Sequence, residues 1–148
     1  MAPVDNRYVN LDLYLPAEAH QCASSLVSTS GAGPSAPFER QIDFWWTGLC
    51  IGLAMGQETP SETNAVKFIT GAILSTDPWR ITHLELMALG KRGADVLSTP
   101  KDVIDFASAF ANTGSRWLAQ TLLGDPEPTL TLSIALKELH DELSKARS

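Results

Sequence analysis

The chain has 148 residues, a formal net charge of -6, 44% hydrophobic residues and 19% charged residues. That is the length of one domain able to bury a core without disulfide or metal staples, with the composition of a globular protein somewhat poor in charge. The acidic balance argues against broad non-specific binding to nucleic acid, whose phosphates are met mainly by lysine and arginine.

The opening residues, Met1-Ala2-Pro3-Val4-Asp5-Asn6, lack the basic start and apolar block of a secretory signal. Tyr8-Val9-Asn10-Leu11-Asp12-Leu13-Tyr14-Leu15 alternates. Val9, Leu11, Leu13 and Leu15 share one face, the period of a half-buried strand, and Pro16 ends it. A lone strand leaves its backbone groups unpaired and needs a partner. The candidates within the chain are Leu26–Thr29 and Thr129–Leu132, and the candidate outside it is a strand of another protein.

Ser28 to Pro37 (STSGAGPSAP) is uncharged and rich in serine, glycine and proline. It reads as a linker, dividing the chain into an arm over 1–30, a linker over 31–37 and a helical domain over 38–148. The stretch from Phe38 to Gly56 (FERQIDFWWTGLCIGLAMG) is the most apolar in the chain. Gly48, Gly52 and Gly56 recur every fourth residue, a smooth stripe on a helix. Each interior glycine costs a helix about 1 kcal/mol relative to alanine, so close packing against a neighbouring helix must offset it. The segment is therefore expected to be the central helix of a bundle. Its apolar run is too short, and too interrupted by Asp43, to cross a membrane, and a cytoplasmic location follows.

Three cap-plus-proline starts follow: Thr59-Pro60-Ser61-Glu62, Asp77-Pro78 and Thr99-Pro100-Lys101-Asp102. They predict helices near 38–56, 61–74, 79–97, 100–112, 114–123 and 132–146, with Gly114 breaking the fourth from the fifth. The last carries a seam of Leu132, Leu136, Leu139 and Leu143. The expected fold is mainly α: a compact bundle of five or six helices preceded by an arm with one or two short β-strands.

Catalytic signatures are missing from this order of residues. No G-x-S-x-G elbow or phosphate-binding loop occurs, and Cys22 and Cys50 form no C-x-x-C pair. His20, His83 and His140 are too widely spaced for a metal motif, so no metal or other cofactor is expected. Cys50 lies inside the apolar run and reads as a small core hydrophobe. Arg40 and Asp43 stand three apart on the central helix, either as a ligand grip beside Trp45-Trp46 or as that helix's wet end. Trp45 and Trp46 point about 100° apart, so one of them can reach the surface as the aromatic centre of an interface. Leu89-Gly90-Lys91-Arg92-Gly93, joined by Arg80, Lys101 and Arg116, is the best nucleic-acid candidate, although a helix C-terminus explains the same residues.

Three blocks carry a likeness to known proteins: Phe38-Glu39-Arg40-Gln41-Ile42-Asp43, Ser75-Thr76-Asp77-Pro78-Trp79-Arg80, and Val103-Ile104 with Ala111-Asn112-Thr113-Gly114. In their order the chain from about Pro37 to Leu123 resembles small helical proteins encoded in bacterial anti-phage and DNA-defence gene clusters. The resemblance implies an accessory subunit working beside a larger ATPase or nuclease, and it assigns no functional residue. The expectation is a non-enzymatic adaptor or assembly subunit that docks on a larger bacterial protein or on a second copy of itself. Its contacts are expected at Tyr8, Leu11, Leu13, Arg40, Asp43, Trp45 and Trp46. The alternative is an accessory nucleic-acid-binding domain using Arg80, Lys91 and Arg92.

Overall fold

A computed structural model describes residues 6–33 and 35–147. It is mainly α, with five α-helices and one two-stranded antiparallel sheet among those residues. The core is built on two long antiparallel helices, α2 (Gln41–Met55) and α4 (Pro100–Leu122). They meet through glycine. A Cβ on Gly114 would overlap the carbonyl oxygen of Gly48 and lie 2.7 Å from its Cα, and one on Gly52 would overlap the backbone of Phe110. The expected close packing therefore holds at Gly48 and Gly52. Gly56 does other work, closing α2 in the left-handed conformation with φ 68°.

Gly114 does not break a helix, as expected from sequence, but continues one. α4 runs unbroken for 23 residues, because the glycine that costs helix propensity lets α2 approach. Val103, Phe106, Ala107, Phe110, Ala111, Leu118 and Leu122 complete its buried stripe.

The stretch predicted as a helix over 61–74 is extended instead. β1 (Asp12–Leu15) pairs antiparallel with β2 (Val66–Thr70), Leu13 opposite Ile69 and Leu15 opposite Val66, with a bulge between Leu13 and Tyr14. The partner of the arm strand thus lies within the chain, at neither predicted position. Tertiary contacts overrode the capping signature. Thr59, the expected N-cap, sends its backbone N–H to the Ala109 carbonyl (2.9 Å), and its hydroxyl lies 2.7 Å from that of Thr113. Asn112 Nδ2 donates to the Thr59 carbonyl at 3.0 Å, so the loop before β2 is pinned to α4. A single 3-10 turn over Gly71–Thr76 follows the strand.

The remaining boundaries shift modestly. α3 (Trp79–Arg92) stops where Gly93 turns to φ 85°, short of the predicted 97, and a 3-10 turn over Ala94–Ser98 leads to α4. α5 (Pro128–Ala146) starts four residues before the predicted helix, with Pro128 in its first turn. Between β1 and the bundle, α1 (Ala17–Ala23) packs on α4.

The arm and the helical body share one core, contrary to the division at 31–37. Tyr8, Leu13, Leu15, Ala19, Cys22 and Leu26 are buried in the same cluster as Trp45, Leu49 and Phe110. The two ends of the predicted linker are tied together, because Ser28 N–H donates to the Phe38 carbonyl (2.8 Å) and Phe38 N–H to the Leu26 carbonyl (3.1 Å). Fully burying a leucine stabilises a fold by about 1.5–3 kcal/mol, so Leu13 and Leu15 make the arm a structural member. No helix among the described residues is long and apolar enough to cross a membrane.

Candidate partner-docking surface

Two of the sequence blocks singled out above meet at the N-terminal ends of α2 and α3. Asp43 occupies the third position of α2 and accepts the backbone N–H of Arg40 at 3.1 Å, a carboxylate capping the helix start. Its other oxygen takes Arg40 Nη2 (3.3 Å) and Arg80 Nη2 (2.9 Å). Asp77 completes the square, accepting Arg40 Nη2 at 2.9 Å and Arg80 Nε at 3.1 Å. Arg80 donates foremost among the groups that hold the Asp77 carboxyl below the usual carboxylate range, and Asp77 in turn raises Arg40. Of the two sequence readings for Arg40 and Asp43, the wet end of a helix fits: they tie α2 to α3 with their charges paired within the chain, although Arg80 Nη1 is left without a hydrogen-bond partner.

Arg80 is 4% exposed and roofed by two tryptophans. Its guanidinium carbon lies 4.5 Å from the Trp79 ring centroid and 5.1 Å from that of Trp46. The two indoles meet edge to face at 5.5 Å. The ion square thus fixes both rings from beneath through its one buried member, Arg80, and Trp79 remains 45% exposed. His83 lies tilted against Trp79, ring centroids 5.4 Å apart, and Leu86, one turn further along the same face of α3, is 58% exposed. Trp79, His83 and Leu86 sit at i, i+4 and i+7, an apolar stripe turned to solvent while Ile81, Leu84 and Ala88 face the core.

Trp46 also forms one end of an apolar groove of about 420 Å³ between α2 and α5. The α2 wall is Thr47, Cys50, Ile51 and Ala54, and the α5 wall is Leu136, Leu139 and Leu143 with His140, Ser144 and Arg147 at its lip. Cys50 reaches solvent here and does not serve as the buried core residue expected. Desolvation by the apolar walls still pushes its thiol pKa up, which keeps it a poor nucleophile at neutral pH. Cys22 is buried, its thiol raised for the same reason.

Burial sorts the sequence candidates. Tyr8, Leu13 and Trp45 are each 0% exposed and cannot touch a partner. They are interior because the arm folds into the core and Trp45 faces α4's side of α2, leaving Trp46 as the tryptophan that reaches the surface. Leu11 packs half-buried against the core. Arg40, Asp43 and Trp46 remain at the surface around the ion square. Sequence reasoning missed Trp79, His83 and Leu86, although their i, i+4, i+7 spacing was readable. It also missed the groove, whose α5 wall is the leucine seam.

The cations proposed for nucleic acid do not converge. Arg80 is buried in the ion square, and Arg92 pairs with Glu58. Lys101 pairs with Asp105, and Arg116 with Glu18 and Glu62. Lys91 is exposed at the end of α3. Asp95, Asp102 and Asp105 line the same depression as Arg92, a surface that repels phosphate. No group of three or more His, Cys, Asp or Glu side chains able to hold a metal ion occurs among the described residues. No protein-family model matches the chain, and no curated protein or solved structure matches it either.

Proposed function

We propose that this protein is a non-enzymatic helical adaptor or assembly subunit that docks on a larger bacterial protein through the Trp79–His83–Leu86 face of α3 and the adjoining Trp46. On the resemblance of its three sequence blocks, that partner is proposed to be an ATPase or nuclease of a defence complex. One observation carries the docking reading: Trp79 lies 45% exposed while held rigidly by Trp46 and the buried Arg80. A large aromatic ring fixed before binding loses little conformational freedom on association, which is the character of an interface hot spot. The contact thus moves from the arm strand, which has its pairing partner in β2, to the α2–α3 surface.

The test is co-purification of the tagged full chain expressed together with its neighbouring genes. Trp79→Ala with Leu86→Glu removes the anchor and places a charge on the stripe while leaving Ile81, Leu84 and Ala88 in the core; because it also uncovers Arg80, Leu86→Glu alone is tested beside it. Loss of a specific partner from these variants, with helical content unchanged, supports the reading. Recovery of the same partners in the same amounts overturns it.

A further inference from the structure

We propose that a second copy of this chain fills the groove between α2 and α5, with the two α5 helices packed parallel about a twofold axis. The starting point is how little supports α5. It is 19 residues long, yet Leu132, 8% exposed, is its only buried residue. Helices of that length draw most of their stability from packing an apolar face, and here that face is half open. Leu132, Leu136, Leu139 and Leu143 follow a 4-3-4 spacing, the d-a-d-a register of a coiled-coil seam. Leu136, Leu139 and Leu143 line the groove.

The α2 wall suits a helix as occupant. Thr47, Cys50 and Ala54 are small and lie at i, i+3 and i+7, so another backbone can come close along that face. The α5 wall from Leu136 to Arg147 extends for about 16 Å, three turns of helix. α2 and α5 both run antiparallel to α4 and are therefore parallel to each other: Trp46 and Leu136 stand at the same end, and Arg147 Nη2 reaches the Ala54 carbonyl at the other. A twofold axis along this direction generates a four-helix arrangement in which each α5 sits against its mate and against the mate's α2.

Charge selects the copy and its direction. In the seam's register Glu142 falls at a g position and Arg147, five residues on, at the following e position. Parallel pairing places Glu142 beside the partner's Arg147 twice, once on each side of the axis. Antiparallel pairing of the same seam sets Glu142 against the partner's Ala135 and carries Arg147 to the start of the partner's α5, so the Glu142–Arg147 pair is not formed. The groove lining contains no carboxylate of its own, and His140 and Arg147 stand at its lip in a chain of net charge -6. The incoming α5 brings the missing acid as Glu142.

Trp46 borders both surfaces, but Trp79, His83 and Leu86 lie outside the groove lining, so this dimer does not rest on the docking reading. Sedimentation velocity of the full chain over a concentration series tests it. A monomer–dimer equilibrium is expected, with Glu142→Lys and Arg147→Glu each weakening dimerisation roughly tenfold and the double exchange restoring it. Both positions are exposed, and unchanged circular dichroism confirms that the fold is kept. In a Cys50→Ser background, Leu139→Cys at a d position should oxidise to a disulfide-linked homodimer. A chain that stays monomeric, or a dimer indifferent to the single exchanges, overturns the proposal and leaves the groove to a foreign helix or an apolar small molecule. So does a double exchange that fails to restore the dimer.

Discussion

Replacing Gly114 with alanine separates two opposing effects whose sizes can be worked from the α2–α4 contact. Alanine in a helix interior is favoured over glycine by about 1 kcal/mol, so on propensity alone the variant should be more stable. At this site the new methyl would overlap Gly48's carbonyl oxygen and lie 2.7 Å from its Cα. Ordinary carbon contacts sit at about 3.5–4.0 Å, so α2 and α4 would have to part by on the order of 1 Å along their shared face. The obstacle is backbone and cannot rotate away. Overpacking of that kind costs at or above the top of the usual range, about 3 kcal/mol, leaving a net loss of about 2 kcal/mol. For a chain of this size that is a fall in Tm of roughly 4–8 °C.

Two companions calibrate the measurement. A Cβ on Gly90, exposed on α3, meets nothing within 4 Å, so Gly90→Ala should gain about 1 kcal/mol and raise Tm by roughly 2–4 °C. A Cβ on Gly48 would come 3.0 Å from the Ser115 backbone nitrogen, and its variant should fall between the two. Urea titration followed by circular dichroism gives the order Gly90→Ala, parent, Gly48→Ala, Gly114→Ala from most to least stable. If Gly114→Ala is stabilised as Gly90→Ala is, the helices do not touch there and the account of the core is wrong.

Two further predictions concern the ion square and the arm. Asp77 has a folded-state pKa below its unfolded value, so its stabilisation is complete above the unfolded pKa near 4 and is lost as pH falls through the folded one. The Tm deficit of Asp77→Asn should therefore be largest at neutral pH and shrink in acid; a deficit independent of pH down to 2 would mean the carboxylate's charge is irrelevant. Leu13→Ala should cost about 2–5 kcal/mol, because Leu13 is 0% exposed in the core shared with α2 and α4. A cost below about 0.5 kcal/mol in a urea titration, the size of an ordinary surface change, would show the arm to be a detachable segment after all.

What was legible in the sequence was periodic and local. The α2 glycine stripe announced a close helix contact because a helix tolerates repeated glycine only where something packs against it. Pro78 and Pro100 marked the starts of α3 and α4 because a proline acts within one turn, although neither Asp77 nor Thr99 makes a side-chain cap hydrogen bond. The same grammar failed at Thr59-Pro60, where nothing local distinguishes a helix start from a loop. There the deciding contacts lie more than 40 residues away, in Ala109, Asn112 and Thr113 on α4 and in β1, which pairs with the strand that follows. Gly114 failed for the reciprocal reason: a glycine reads as a breaker until its counterpart Gly48 is known to face it.

The surface was half legible for the same physical reason. Trp45 and Trp46 were separable by helical geometry alone, but which of them reaches solvent depends on where α4 lies. Arg80 looked like a free cation for phosphate because its two carboxylate partners, Asp43 and Asp77, stand on both sides of the strand-and-turn segment that sequence reasoning took for a helix. Once that segment folds back to pair with β1, the N-terminal ends of α2 and α3 are brought together and Arg80 is drawn beneath two indoles. A single local error, strand read as helix over 66–70, therefore accounts for the misplaced arm and contributes to the misread basic patch. The candidate docking face is a consequence of the same fold-back, since the contact that buries Arg80 also props Trp79 outward.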